Sequence, residues 1–174
     1  MPITLVVGGC RSGKSSHALK LAEATTGLSR IFLATCVPLD NEMEDRVAKH
    51  KQERSSLWKA IDTPVDLSGA VAREHAGADV ILIDCLTLWA SNLMAEGRDT
   101  EAETEFLIRS LKGSTCPVYL VSNEVGQGIV PENELARAFR DAVGRINQLI
   151  ASAADQVIWM VAGIPVVVKR EGAC

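Results

Sequence analysis

Residues 8–15 read Gly8-Gly9-Cys10-Arg11-Ser12-Gly13-Lys14-Ser15 and match the phosphate-binding pattern G-x-x-x-x-G-K-[ST] at every fixed position. The pattern constrains the fold because it demands a strand, a tight loop and a helix in direct succession. The context supplies them: 3–7 is a short apolar, β-branched run, and 15–24 reads as a helix. Gly8 and Gly13 permit turns that a side chain would block, so successive N–H groups point inward at phosphates. Lys14 then reaches the β- and γ-phosphates, and the Ser15 hydroxyl is a ligand for Mg²⁺. The helix adds the positive end of its dipole at the same place.

The rest of the chain repeats the alternation that this start implies. Further apolar runs at 30–34, 79–83, 117–121 and 156–161, with a short final one at 166–169, are separated by amphipathic or polar stretches. Helices are expected over 41–55, 67–75, 86–94, 100–112 and 132–151. Strands without polar alternation point to burial on both faces, hence a mostly parallel central sheet with helices on both faces. The fold class expected is a P-loop NTPase-type α/β domain, a single unit over residues 1–174. Ligands in such sheets sit beyond the carboxyl ends of the strands.

Composition narrows the partners. A net charge of −4 with no basic stripe argues against nucleic acid. The five cysteines are odd in number, none pairs at C-x-x-C spacing, and the three histidines do not cluster with them. Small buried thiols in a reducing cytoplasm fit better than a zinc site or a disulfide framework. Cys10 stands within the phosphate loop, where it is open to oxidation. No apolar run reaches the roughly 18 residues of a membrane span, so a cytoplasmic chain is expected.

Val80-Ile81-Leu82-Ile83-Asp84 is an apolar strand ending in an acid. Beside a phosphate loop, such an acid binds Mg²⁺ directly or through water; alone, it reads equally as a helix cap. The segment 40–54 opens with acids and closes with bases, the order a helix dipole favours. Arg46, His50 and Arg54 are spaced i, i+4, i+8 and form a row, with Lys51 beside it. Spacing leaves two readings. One is a solvated charged helix. In the other, the cations hold a triphosphate while a neutral His50 attacks the α-phosphorus and pyrophosphate leaves. His17 and His75 read as ordinary helix residues.

Taken together, the quoted stretches resemble the bifunctional adenosylcobinamide kinase/adenosylcobinamide-phosphate guanylyltransferases of the late cobalamin pathway. The resemblance runs nearly end to end. It rests on GGCRSGKS at 8–15, FLAT with D-x-E-M-x-x-R and H-x-x-x-R within 32–54, and DCLTLW-x-x-N at 84–92. It continues through VSNEVG-x-GIVP at 121–131, A-R-x-F-R-D-x-x-G-x-x-N-Q at 136–148 and AGIP at 162–165. It implies two activities. A nucleotide γ-phosphate, from ATP or GTP, passes to the aminopropanol hydroxyl of adenosylcobinamide. GMP from GTP is then placed on that phosphate through a covalent histidine adduct at His50, giving adenosylcobinamide-GDP and pyrophosphate.

The resemblance also implies nucleotide contacts from Gly9, Cys10, Arg11, Ser12, Gly13, Lys14, Ser15 and Ser16. Further contacts are implied at Ala34, Thr35 and Cys36, at Lys51, Gln52, Glu53 and Arg54, and at Asp62 and Asp84; without the family, Asp62 reads equally as a turn cap. Mg²⁺ is the expected cofactor, with Ser15 and Asp84 its ligands, and Lys14 joins His50 as a catalytic residue. Ser122, Asn123 and Glu124 follow directly on a strand and are expected to face the ligand crevice; Glu124 is either a metal ligand or proton acceptor, or part of a set of loop-stabilising hydrogen bonds. Arg137 and Arg140 are placed to reach phosphates, although Arg140 with Asp141 also reads as a structural pair; Asn147 and Gln148 read as packing or capping contacts. The resemblance further implies a homo-oligomer, commonly a trimer, with a subunit interface near the nucleotide. The rival readings are a P-loop kinase without guanylyl transfer and a regulatory GTP-binding module.

Overall fold

The computed structural model describes residues 1–37 and 55–170. They run β1 (Ile3–Gly8), α1 (Lys14–Glu23), β2 (Arg30–Ala34), β3 (Trp58–Asp62), α2 (Leu67–Glu74), β4 (Val80–Asp84) and α3 (Leu86–Ala95). Then follow α4 (Thr100–Lys112), β5 (Val118–Asn123), α5 (Glu134–Ala153), β6 (Gln156–Val161) and β7 (Ile164–Arg170). The helix expected over 41–55 lies outside the described residues except for Ser55.

The strands form one seven-stranded sheet in the order β3-β2-β4-β5-β1-β6-β7. Every pair is parallel except β6 with β7. The apolar, unalternating strands are buried as their composition requires: all six residues of β1 and the first four of β4 are shielded. Val7, Leu33, Ile83 and Leu120 face a large core built with Leu67, Trp89, Leu107, Val143 and Ile150 from α2 to α5. Val6, Phe32, Leu82 and Val121 face the other way, against Ala18 and Ala22 of α1. Small residues on α1 let its axis approach the sheet closely, which brings its first turn over the strand ends.

Two features depart from expectation. β3, WKAID, is absent from the expected strands, although the run before Asp62 reads as β-like; it buries Trp58, leaves Lys59, Ala60 and Asp62 exposed, and pairs along the edge of β2 from Arg30↔Trp58 to Ala34↔Asp62. The last strand is longer than 166–169 and antiparallel. Ala162 and Gly163 both have positive φ, 49° and 84°, so a two-residue turn reverses the chain after β6. All seven residues of β7 are exposed, so burial on both faces does not extend to this edge.

Helix ends follow local chemistry. Asp99 and Asn133 accept N–H bonds from the first turns of α4 and α5. That cap starts α4 at Thr100 as expected, and moves the start of α5 from 132 to Glu134.

Candidate functional site

The carboxyl ends of β1, β5, β4, β2 and β3 lie side by side along one edge of the sheet, and the phosphate loop, Ala34, Asp62 and Asp84 fall along it. The phosphate loop leaves β1 at Gly8. A Cβ there would stand 2.7 Å from the Met160 carbonyl oxygen and 2.8 Å from Ser12 Oγ, so only glycine lets the loop begin in contact with β6. Arg11 holds φ 55° and Gly13 φ 87°, which curls the backbone between them. The turn at Ala162–Gly163 buttresses the loop from behind: the Gly163 N–H donates to the Ser12 carbonyl at 3.1 Å. The AGIP stretch is therefore a hairpin turn that supports the phosphate loop.

Gly13 caps α1 without any side-chain acceptor, and no acidic residue lies in the first turn. The N–H groups there are open to an anion. Lys14 Nζ donates to the Gly9 carbonyl at 3.1 Å, closing the loop on itself. Ser15 is half-buried on the first turn, whereas Ser16, Cys10 and Arg11 are exposed and Ser12 is buried. Asp84 ends β4 half-buried. The charges of Asp84 and Lys14 both bear on the Cys85 thiol: burial, then Asp84, push it up to about 12, while Lys14 opposes. The loop lysine and the strand-end acid thus both lie within electrostatic reach of Cys85, at the ends of the two strands that flank β5.

The end of β2 is more tightly engaged than a simple contact residue needs. Thr35 is fully buried. Its hydroxyl donates to the Cys85 carbonyl at 2.7 Å and accepts from the Cys85 N–H at 2.8 Å, and its own N–H donates to the Asp84 carbonyl. Thr35 holds Asp84 in place. Ala34 and Cys36 on either side are half-buried, and burial followed by the Asp84 charge raises the Cys36 thiol. Asp62 is exposed at the end of β3, in register with Ala34. Four strand spacings separate β3 from β1, roughly 19 Å at about 4.8 Å each. His50, Lys51, Gln52, Glu53 and Arg54 lie outside the described residues.

Sequence reasoning missed a set of polar residues that fix the strand ends. Asn92, one of the motif residues on α3, donates from Nδ2 to the Thr35 carbonyl at 2.8 Å and to the Pro64 carbonyl at 2.9 Å. Thr87 Oγ1 accepts from the Asn123 N–H at 2.8 Å. Asn147, expected to make packing or capping contacts, donates to the Asn123 carbonyl and accepts from Ser122 Oγ at 2.6 Å, so Ser122, expected to face the crevice, is fully buried beneath it. Their only sequence signal was recurrence of Asn and Thr at otherwise apolar positions. Glu124 accepts a 2.6 Å bond from the Trp159 indole, and its N–H donates to the Gly8 carbonyl. The Arg137 guanidinium is taken up by the Pro131 and Glu132 carbonyls, so it braces the loop. Arg140 pairs with Asp141 at 3.1 Å, and both line an open groove of about 590 Å³ with Gly126, Gly144, Arg145 and Gln148.

Comparison with known proteins matches residues 4–168 to the family described as cobinamide kinase / cobinamide phosphate guanyltransferase. The bifunctional adenosylcobalamin biosynthesis protein CobP of Pseudomonas aeruginosa is 38% identical over 96% of this chain and 97% of its own. CobU of Salmonella typhimurium, also named a bifunctional adenosylcobalamin biosynthesis protein, is 39% identical over 95% of this chain and 98% of its own. Among solved structures, the flagellar accessory protein FlaH of Methanocaldococcus jannaschii superposes with a TM-score of 0.56 at 14% identity, over 98% of this chain and 79% of that one. A second solved structure, an ATPase domain, gives 0.58 at 12% identity, over 99% of this chain and 78% of that one. These two likenesses concern the fold alone.

Proposed function

The chain belongs to the cobinamide kinase/cobinamide phosphate guanyltransferase family, and we propose that one nucleotide site at the carboxyl edge of its sheet serves both of that family's reactions. The observation that carries this reading is the placement of the phosphate loop with Lys14, and of Asp84, at the carboxyl ends of β1 and β4, the two strands that flank β5. In the kinase step the aminopropanol hydroxyl oxygen of adenosylcobinamide bonds to the γ-phosphorus, the bond from that phosphorus to the bridging oxygen breaks, and the hydroxyl proton is released to water. Lys14 and the loop N–H groups stabilise the charge that gathers on the transferring and leaving oxygens. Ser15 Oγ and the Asp84 carboxylate are hard oxygen donors, suited to Mg²⁺ with phosphate oxygens and water in its remaining positions. The ion when bound neutralises phosphate charge.

In the second step a His50 ring nitrogen bonds to the α-phosphorus of GTP and pyrophosphate leaves. A phosphate oxygen of adenosylcobinamide phosphate then bonds to the same phosphorus and releases His50. Arg46, Lys51 and Arg54 supply cations for this exchange, and they favour the neutral, nucleophilic imidazole. Cys10, Ser16, Cys36 and Asp62 are assigned to nucleotide contact along the edge, and Thr35 contributes by holding Asp84. No helix among the described residues is long and apolar enough to cross a membrane, and we place the enzyme in the cytoplasm, a source of ATP and GTP. We also assign it a homo-oligomeric state. Its most suitable surface is β7, an edge strand with Ile164, Val166, Val167 and Val168 exposed; a monomer in sedimentation velocity at micromolar concentration would remove that assignment.

The deciding experiment is incubation with Mg²⁺ and α-³²P-GTP, denaturation, and a count of retained label. Acid-labile, base-stable label that vanishes in His50→Ala, with kinase turnover partly spared, is the expected result. Absence of label alongside phosphorylation of adenosylcobinamide would leave a kinase only. Neither label nor turnover would favour a regulatory nucleotide-binding module.

A further inference from the structure

β5 lies between β1, which ends in the phosphate loop, and β4, which ends in Asp84. Its last residue, Asn123, is in register with Gly8, and Asp84 is in register with Val121 two residues earlier. Side chains alternate along a strand, so Asn123 shares a face with Val121 and Tyr119, the face covered by α1. Asp84 follows Leu82 and Val80 onto that same face. A ligand held by α1's first turn, Lys14 and Asp84 therefore passes over the end of β5.

The backbone of Asn123 is held on both sides and its side chain is not. Its N–H donates to Thr87 Oγ1 at 2.8 Å, its carbonyl accepts from Asn147 Nδ2 at 3.1 Å, and the next N–H donates to the Gly8 carbonyl at 3.1 Å. The side-chain Oδ1 is buried and meets no hydrogen-bond partner among the described residues. Leaving a buried amide oxygen unpaired costs stability that a strand end could avoid with valine or threonine. An amide fixed at its root and unpaired at its tip is preorganised for a group that arrives with the ligand. A half-turn about the last torsion exchanges Oδ1 and Nδ2, so the same position can present an N–H donor to a phosphoryl oxygen.

We propose that Asn123 is a catalytic residue of the phosphoryl-transfer step, donating from its side-chain amide to an oxygen of the transferred γ-phosphoryl group. The inference rests on the kinase reading of this site. A neutral donor suits the position because it follows the oxygen from nucleotide to acceptor without adding a counter-charge that would hold the product.

The test uses Asn123→Ala and Asn123→Asp in the full chain, with three readouts. Affinities for GTP and GDP with Mg²⁺ report contact with the terminal phosphate whatever the acceptor is. Turnover with adenosylcobinamide reports the chemistry, and thermal unfolding reports the fold. Asn123→Ala is expected to lower the preference for triphosphate over diphosphate by about tenfold and kcat by about 10²-fold. GDP affinity should stay within twofold, and the melting temperature should not fall, since no protein hydrogen bond is lost. Asn123→Asp, which places a carboxylate against the phosphate, should lose more triphosphate affinity than the alanine variant. Unchanged preference and kcat would overturn the proposal, as would a lowered melting temperature with GTP and GDP affinities falling in proportion. A wild-type protein that prefers triphosphate but never phosphorylates adenosylcobinamide would instead refute the kinase reading, and the affinity ratio would still decide whether Asn123 meets the terminal phosphate.

Discussion

The three glycines of the phosphate loop should respond differently to alanine, because each is glycine for a different physical reason. At Gly8 the obstacle is space: the new Cβ would stand 2.7 Å from a backbone oxygen of β6 and 2.8 Å from Ser12 Oγ. Ser12 can rotate, but the Met160 carbonyl cannot move without parting β1 from β6. The cost is the upper part of the overpacking range, about 2–3 kcal/mol. At Gly13 the neighbours are at ordinary distance, 3.7 Å and beyond, but φ is +87°. Only the left-handed penalty applies there, about 1–2 kcal/mol. At Gly9 nothing lies within 4 Å, so alanine should be neutral or stabilise by up to about 1 kcal/mol through the unfolded chain.

For a chain of this length 1 kcal/mol moves the melting temperature by roughly 2–4 °C. Gly8→Ala should therefore fall by about 4–12 °C, Gly13→Ala by about 2–8 °C, and Gly9→Ala should stay level or rise slightly. Differential scanning calorimetry without nucleotide, under conditions where unfolding reverses, measures the order. Triphosphate affinity is measured in parallel, and loss at Gly9→Ala with no loss of stability would assign Gly9 to close approach of phosphate. Equal destabilisation at Gly9 and Gly8, or a Gly8→Ala protein as stable as wild type, would refute the reasoning.

Asn92→Ala removes two hydrogen bonds from carbonyls on separate segments and should cost about 2 kcal/mol, read as a lower urea midpoint with unchanged slope; an unaltered midpoint would show that the two bonds carry no net stability. Cys116 supplies a pH signature, since burial raises its thiol above the ordinary 9.0. The folded state then holds this proton more tightly than the unfolded chain, so its contribution is complete below pH 9 and declines as pH rises from there, by no more than about 1.4 kcal/mol per pH unit. Urea midpoints at pH 8 and pH 10.5 should fall further in wild type than in Cys116→Ala, and equal falls would exclude the thiol as the source.

The strand–loop–helix at the amino end was legible because each of its positions has one physical job. The helix at Thr100–Lys112 was legible because Asp99 caps it and a periodic apolar face follows. Other features are invisible in a linear reading. β3 lies along a sheet edge and interrupts its apolar residues with Lys59 and Asp62, so a search for apolar runs passes over it. The insertion of β5 between β1 and β4 is a fact about three dimensions; the sequence places Asn123 at a strand end by the ligand crevice but not between the phosphate loop and Asp84. The family resemblance implies a nucleotide contact at Thr35, yet its hydroxyl turns inward to Cys85, an orientation set by packing that a linear reading does not show.

The same contrast explains why so many motif residues are neutral amides and hydroxyls. A bound triphosphate brings several negative charges into a site whose own charges, Lys14 and Asp84 among them, must be balanced against it. Anchoring the strand ends with further ions would alter that balance and shift the affinity of every phosphate. Thr35, Thr87, Asn92 and Asn147 fix the ends of β2, β4 and β5 without doing so, through bonds of 2.7–3.1 Å to main-chain atoms. Bonds to main chain also carry no preference for one side chain at the anchored position, which leaves Asp84 and Asn123 free to be chosen for chemistry. The stretches DCLTLW-x-x-N and SNEVG thereby combine two kinds of residue in a few positions: those we propose meet phosphate or metal, and neutral neighbours that hold them at fixed places along the edge.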